Sequence, residues 1–284
     1  MARALDEAVN PAGTPGGNPP SGRPGGRKWS DFGVRLASAA ILAPIALAAL
    51  WYGGLAWQGL IVLIMLGLAM EWTRLSGLAR GDIALAVALL TIWMLSILFG
   101  WMAGIPAAGL FILVTAWRFG WFAALGIPYI AIGGFSVLWL RLSLPDGLRV
   151  TASLVAVVWT TDIGAYFCGR LVGGRRLAPR ISPGKTWSGS LGGLLIGGVA
   201  GALVMSGGRG IGPGALLLAV LLSLAAQAGD LLESAIKRRL GVKDSGRTIP
   251  GHGGLFDRLD GFLAASPVAV VLTFLTHHGL NRAI

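Results

Sequence analysis

The sequence predicts an all-α fold, a polytopic transmembrane helical bundle of about nine spans, and three observations lead there. Hydrophobic residues make up 55% of the chain and charged residues only 12%, about half the charge of a soluble domain. The apolar residues fall in successive runs near the 20 or so residues that cross a hydrocarbon core of about 30 Å. The runs are continuous and lack the alternation of an outer-membrane barrel strand.

Residues 1–28 hold 11 Gly or Pro and almost nothing that could build a core. Residues 1–30 are therefore expected to be a disordered cytoplasmic tail. The first apolar run starts only after Arg35, and no short apolar region with a small-residue cleavage site stands out as a signal peptide. From there the expected spans are about 36–52, 56–72, 83–100, 103–117, 119–140, 149–168, 190–206, 213–232 and 261–276. The fourth is short and interrupted by Gly and Pro.

Placing the N-terminus inside puts the charged loops 73–82, 169–189 and 233–260 in the cytoplasm. That leaves 19 of the 23 Lys and Arg inside, with Arg141, Arg149, Arg209 and Arg282 outside. The bias of Lys and Arg toward cytoplasmic loops selects this orientation. The Ala/Gly/Arg-rich composition suggests a bacterial inner membrane, with the protein crossing it several times.

The net charge of +11 would point to nucleic acid in a soluble protein. Here it is read as basic cytoplasmic loops, which also attract anionic substrates, and no nucleic-acid partner is expected. The single Cys168 excludes an intramolecular disulfide, and one Cys with three His gives no zinc pattern.

Gly193, Gly197 and Gly201 repeat at a spacing of four in the seventh span. Such a stripe lets helix backbones approach closely. It is read as packing within one chain, with a homodimer as the alternative.

Polar residues of functional type are sparse before residue 150. The chain thus divides into an N-terminal transmembrane region, 31–148, and a C-terminal catalytic transmembrane region, 149–284. Glu71, at the end of the second span, is the main exception. It is read as a structural group that caps or snorkels near the interface.

Asp230, Glu233, Ser234 and Lys237 stand at i, i+3, i+4 and i+7, one helix face at the boundary of the eighth span. A carboxylate there faces a cavity, a partner or an ion. An ion pair of Asp230 or Glu233 with Lys237 is the plainer reading. Beyond Lys237, basic residues lead into Gly251-His252-Gly253-Gly254, and Asp257 and Asp260 follow at i, i+3. Gly-rich turns offer backbone N–H groups to phosphate oxygens. Lys and Arg neutralise phosphate, and paired carboxylates hold Mg²⁺ together with substrate phosphate and water. A solvated surface loop would explain the basic residues but not the ordered turn between carboxylates.

The stretch from Ser234 to Asp260, SAIKRRLGVKDSGRTIPGHGGLFDRLD, closely resembles the signature of the phosphatidate cytidylyltransferase family, also called CDP-diacylglycerol synthases. Three upstream elements resemble the family too: Gln227 to Ser234 its QxGDLxES run, Asp162 to Tyr166 with Gly169-Arg170 its DxxAYxxGR element, and Ser182 to Trp187 its SPxKTWEG loop. The motifs cover about residues 159–262. Where that loop usually carries Glu, this chain has Ser188, so no carboxylate role is assigned there.

The resemblance implies an enzyme that joins CTP and phosphatidic acid into CDP-diacylglycerol and pyrophosphate, using Mg²⁺ alone or with a second cation. It implies Asp230 and Asp257 as first metal ligands, with Asp260 and Asp162 behind them. Ser182, Lys185, Lys237, Arg238, Lys243, Gly253 and Arg258 are candidates for substrate phosphates. His252 either meets a phosphate or only shapes the turn. Asp230, Asp257, Asp260 and Lys185 are the expected catalytic set.

Two other classes compete. A membrane transporter would use Asp162 and Asp230 as ion-pathway residues, but no inverted repeat is evident, and the acids sit at span ends beside a basic loop. Another lipid-linked nucleotidyl- or phosphotransferase would share the metal logic and differ in base or acceptor.

Overall fold

A computed structural model describes residues 25–77, 101–246, 248 and 253–280. Seven helices and one small hairpin carry nearly all of them. They are α1 (Gly25–Tyr52), α2 (Gly54–Leu75), α3 (Trp101–Leu142), α4 (Gly147–Leu171), β1 (Arg176–Ala178), β2 (Ser182–Thr186), α5 (Trp187–Ser206), α6 (Pro213–Arg239) and α7 (Phe256–Leu280). Helices dominate because a bilayer leaves the backbone no water to bond with.

Among the described residues, six helical segments are long and apolar enough to cross a membrane: 54–75, 120–142, 147–171, 187–206, 213–239 and 256–276. In α1 only the shorter stretch Ala40–Tyr52 is apolar throughout. The expected count of nine is therefore not reached here. The expected span 83–100 lies outside the described residues, and 103–117 belongs to α3. At 1.5 Å per residue, the 42 residues of α3 would run about twice the hydrocarbon thickness if straight. The helix breaks instead at Gly120, whose φ of 80° and ψ of 156° are not helical. The break falls two residues after Arg118, where the sequence divides the fourth span from the fifth.

The hairpin departs from the all-α expectation. β1 and β2 pair antiparallel, with Arg176 opposite Thr186 and Ala178 opposite Ser182, inside what was expected to be a plain loop. The Thr186 hydroxyl then accepts the Gly189 N–H at 3.1 Å and caps α5.

Two apolar cores share α3 and α7. Met65 and Leu68 of α2, Ile130 of α3 and Phe256 and Leu263 of α7 form one. Leu154 and Val157 of α4, Ala202 of α5, Ala226 of α6 and Ala265 of α7 form the other. α7 is thus packed on both sides, and it joins the N-terminal helices to the C-terminal ones.

The glycine stripe faces α4 of the same chain. A Cβ on Gly193 would lie 2.7 Å from the Thr161 carbonyl oxygen, and one on Gly201 would lie 2.2 Å from a Val157 methyl. The reading of the stripe as intrachain packing accounts for it. At the opposite end of the bundle from the hairpin, Arg141 Nε donates to the Leu50 carbonyl at 2.8 Å, and Nη2 to that of Trp51 at 3.2 Å. This places a cation on the C-terminal carbonyls of α1.

Candidate active site

The end of the bundle that carries the hairpin gathers the C-terminal turns of α2, α4 and α6 and the first turns of α7. On α6 the expected stripe is present. Ser234 Oγ donates to Asp230 at 3.5 Å, and Glu233 pairs with Lys237 Nζ at 2.7 Å. Across from it on α7 stand Asp257 and Asp260. One carboxylate oxygen each of Asp230, Glu233 and Asp260 lies within 4.8 Å of the others.

Glu233 is 3% exposed, and its Oε1 has no hydrogen-bond partner among the described residues. Asp260 accepts the Gly261 N–H at 2.7 Å. Asp162 of α4 lies outside this trio but within electrostatic range of Asp230, Lys185 and Arg258. Lys185 reaches the trio from β2, with Nζ 2.5 Å from Asp230 Oδ2. Pro183 and Gly184 shape the strand that aims it. From α3, Tyr129 is within electrostatic range of Asp260 and Glu233.

Asp257 is placed differently. It takes Lys237 Nζ at 2.7 Å, the Ser245 N–H at 3.0 and 3.2 Å on its two oxygens, and the Gly254 N–H at 3.0 Å. The bond back to Gly254, three residues earlier, is one half of a capping box at the start of α7. Lys237 therefore bridges Glu233 and Asp257, and its side chain is only 13% exposed.

Among the expected phosphate contacts, Ser182 is half-buried at the start of β2, and Lys243 and Arg258 are exposed. Arg238 Nε donates to the Ile181 carbonyl at 3.2 Å, so this guanidinium ties the hairpin to α6. Gly253 has φ 84°, a conformation that favours glycine. His252 lies outside the described residues. Ser188 donates to the Gly173 carbonyl and shares a 3.1 Å hydrogen bond with the Thr186 hydroxyl. Gln227 exchanges two hydrogen bonds with Ser190, at 2.5 and 3.2 Å, and locks α6 to α5.

Asp230, Glu233, Lys185, Asp257 and Asp260, drawn from separate motifs, meet at this one end. A family model described as the cytidylyltransferase family matches residues 33–276, nearly the whole described bundle. The chain belongs to the cytidylyltransferase family. Curated relatives in this family agree. The phosphatidate cytidylyltransferase of Brucella suis biovar 1 (strain 1330) is 41% identical over 255 residues, covering 84% of this chain and 91% of that protein. The phosphatidate cytidylyltransferase of Pseudomonas aeruginosa PAO1 is 34% identical over 272 residues, 86% of this chain and 98% of that protein. The one from Staphylococcus epidermidis (strain ATCC 12228) is 40% identical over 158 residues, 55% of this chain and 59% of that protein.

Two carboxylates at this end, Glu233 and Glu71, are absent from the expected site set. Glu233 is visible in the i, i+3 stripe, but the family resemblance points to Asp257 as the ligand instead. Glu71 is the structural exception in the N-terminal half. Its carboxylate lies at the heart of the loop between α6 and α7, a placement that no local spacing reveals.

Proposed function

We propose that this protein transfers the cytidylyl group of CTP to phosphatidic acid, forming CDP-diacylglycerol and pyrophosphate at the cytoplasmic face of a bacterial inner membrane. The observation that carries this reading is the trio Asp230, Glu233 and Asp260 beside Lys185, in a chain of the cytidylyltransferase family. The names of the relatives supply the lipid acceptor.

The residues present fit a divalent cation. A buried carboxylate oxygen without a partner, on Glu233, is costly unless a cation or donor meets it. Three carboxylate oxygens within 4.8 Å repel one another unless a charge lies between them. Asp230, Glu233 and Asp260 would hold Mg²⁺, with Asp162 at the rim and a second cation as an option. When bound, Mg²⁺ neutralises charge on the phosphates and on the leaving pyrophosphate. Asp257, whose oxygens already accept three donors, is assigned to holding the 245–254 loop.

In the reaction a phosphate oxygen of phosphatidic acid attacks the α-phosphorus of CTP in line. The bond from that phosphorus to the oxygen bridging to the β-phosphate breaks, and pyrophosphate leaves. The attacking phosphate is ionised near neutral pH, so no strong general base is required. Positioning and charge carry the rate. Lys185 supplies a point charge for a phosphate oxygen. Lys237 keeps Glu233 and Asp257 in register. Ser182, Lys243, Gly253 and Arg258 are assigned to contacts with the triphosphate, and Arg238 keeps the hairpin in place.

An apolar cavity lined by Leu50, Trp57, Met65, Trp159, Leu259 and Leu263 runs along the helices. One of its lining residues, Leu259, directly precedes Asp260 in the sequence. We assign the cavity to an acyl chain of the lipid. A nine-span topology with the N-terminus inside keeps this end of the bundle cytoplasmic, where CTP is found. A transporter would hold its carboxylates at the midplane between repeats, and the trio lies at one end of α6 and α7.

The test is direct. Protein purified in detergent, given CTP, phosphatidic acid and Mg²⁺, should release pyrophosphate and form CDP-diacylglycerol. Equal turnover with ATP or GTP would replace the cytidylyl assignment with that of a less selective nucleotidyltransferase. No product with any nucleotide would remove the enzymatic reading.

A further inference from the structure

Glu71 is 3% exposed, on α2, far in sequence from every motif of the site. Its carboxylate accepts the Leu255 N–H at 2.8 Å, the Phe256 N–H at 2.8 Å and the Ser245 hydroxyl at 3.3 Å. It also accepts the Thr248 hydroxyl. Three of the donors belong to the segment that joins α6 to α7, and the fourth, Phe256, is the first residue of α7.

The reason lies in the helix start. The first N–H groups of a helix need acceptors, usually from a side chain at the N-cap. Here the bond from Gly254 to Asp257 marks Gly254 as the cap position, and glycine has no side chain to offer. A larger residue would not fit: a Cβ there would sit 2.0 Å from Ser245 Oγ and 2.9 Å from Glu71 Oε2. A Cβ on Gly246 would likewise lie 2.9 Å from Glu71 Oε1. The loop is built tightly around a carboxylate delivered from another helix, at the positive end of the α7 dipole.

We infer that Glu71 is a positioning residue for the cytidylyl-transfer site, acting through the α6–α7 loop and the first turn of α7. By fixing Leu255 and Phe256 it sets where α7 begins. Asp260, one turn on, thereby meets Asp230 and Glu233. By holding Ser245 and Thr248 it also sets the loop that faces the triphosphate. This inference rests on the proposed reaction, and it gives the N-terminal helices a part in nucleotide binding.

The experiment uses the full-length protein in detergent, with folded fraction measured by monodisperse elution. Glu71→Gln keeps the shape but replaces one acceptor oxygen by a donor amide. Its KM for CTP should rise at least about tenfold, the fold-change for one charge-assisted hydrogen bond, while KM for phosphatidic acid stays unchanged. Gly246→Ala presses on the same carboxylate from the loop side and should give the same split. The double variant should be no worse than the stronger single one, because both act through one contact. Hydrogen exchange in the peptide spanning 245–256 should quicken in both variants.

A purely structural Glu71 would lower thermal stability but leave both KM values per folded molecule at the parental level. That result overturns the inference, as does additive behaviour in the double variant. If Glu71→Gln fails to fold, Gly246→Ala decides alone, and parental KM values there reject the proposal. Failure of the proposed reaction itself would be seen separately, as a parent protein that makes no CDP-diacylglycerol.

Discussion

Among the carboxylates at the hairpin end of the bundle, two differ sharply from the facing trio. Glu71 and Asp257 each accept several protein donors, backbone N–H groups among them. Asp230, Glu233 and Asp260 face one another, and Glu233 keeps an oxygen with no partner among the described residues. The chemistry of the side chains is the same, so the difference lies in what satisfies them. A carboxylate with all its acceptor sites met by the fold is an anchor. A buried one facing other carboxylates is matched to something the fold does not supply.

The largest expected effect falls on the trio. Asp230→Asn and Asp260→Asn keep volume and remove charge. Each should lower turnover by about two to three orders of magnitude, the scale of losing one group that stabilises the transition state. Neither should lower the thermal midpoint measured in excess chelator. Removing a charge from among like charges relieves repulsion, and the lost Lys185–Asp230 pair is about one-third exposed and worth little. Turnover within a few-fold of the parent in either variant would remove that residue from the cation set. A collapse in stability would merge the two classes of carboxylate.

Asp257→Asn should behave in the opposite way. The Lys237–Asp257 pair is 13% and 12% exposed, and breaking a buried pair costs about 3–5 kcal/mol. Lys237 keeps Glu233, so we expect the lower part of that range. The thermal midpoint should fall clearly, and turnover should fall with it as the Gly254 turn loosens. The Mg²⁺ concentration for half-maximal activity should stay near that of the parent, whereas Glu233→Gln should raise it. A shift in Asp257→Asn as large as in Glu233→Gln would put Asp257 back among the ligands, as its place in the motif suggests.

The parts of this arrangement that were legible in the sequence are those governed by local spacing. Continuous apolar runs become helices because hydrocarbon demands internal backbone bonding. The i, i+3, i+4, i+7 stripe from Asp230 to Lys237 lies on one face because 3.6 residues make a turn. The glycines of α5 meet α4 because nothing else fits. Hydrogen-bond satisfaction was not legible. Asp257 and Asp260 look equivalent at i, i+3, yet Asp257 lies in the first turn of α7, where unpaired N–H groups claim it. Glu71 finds its donors 174 to 185 residues away, which only tertiary packing can arrange. The hairpin at 176–186 gave no strand signal, since its short strands carry Arg, Pro, Gly and Lys in place of alternating apolar residues.

The smallest expected effect concerns Ser188, which stands where the resembling loop usually carries Glu. Its hydroxyl donates to the Gly173 carbonyl and meets the Thr186 hydroxyl at 3.1 Å. Gly173 has φ 65°, so the turn entering the hairpin is specialised and the bond helps hold it. Ser188 is thus on the satisfied side of the comparison. Ser188→Ala should cost about 1 kcal/mol, the usual net worth of one hydrogen bond, and leave turnover within about twofold, well short of the 1.36 kcal/mol that makes a tenfold change in rate. Ser188→Glu tests the same point from the other side. A carboxylate in the first turn of α5 gains from the helix dipole but cannot donate to Gly173, so the two effects offset and stability should stay near that of the parent. A rise in turnover or in Mg²⁺ affinity in Ser188→Glu would instead show that this loop can feed a carboxylate into the site, and would make the set of facing carboxylates larger than the trio.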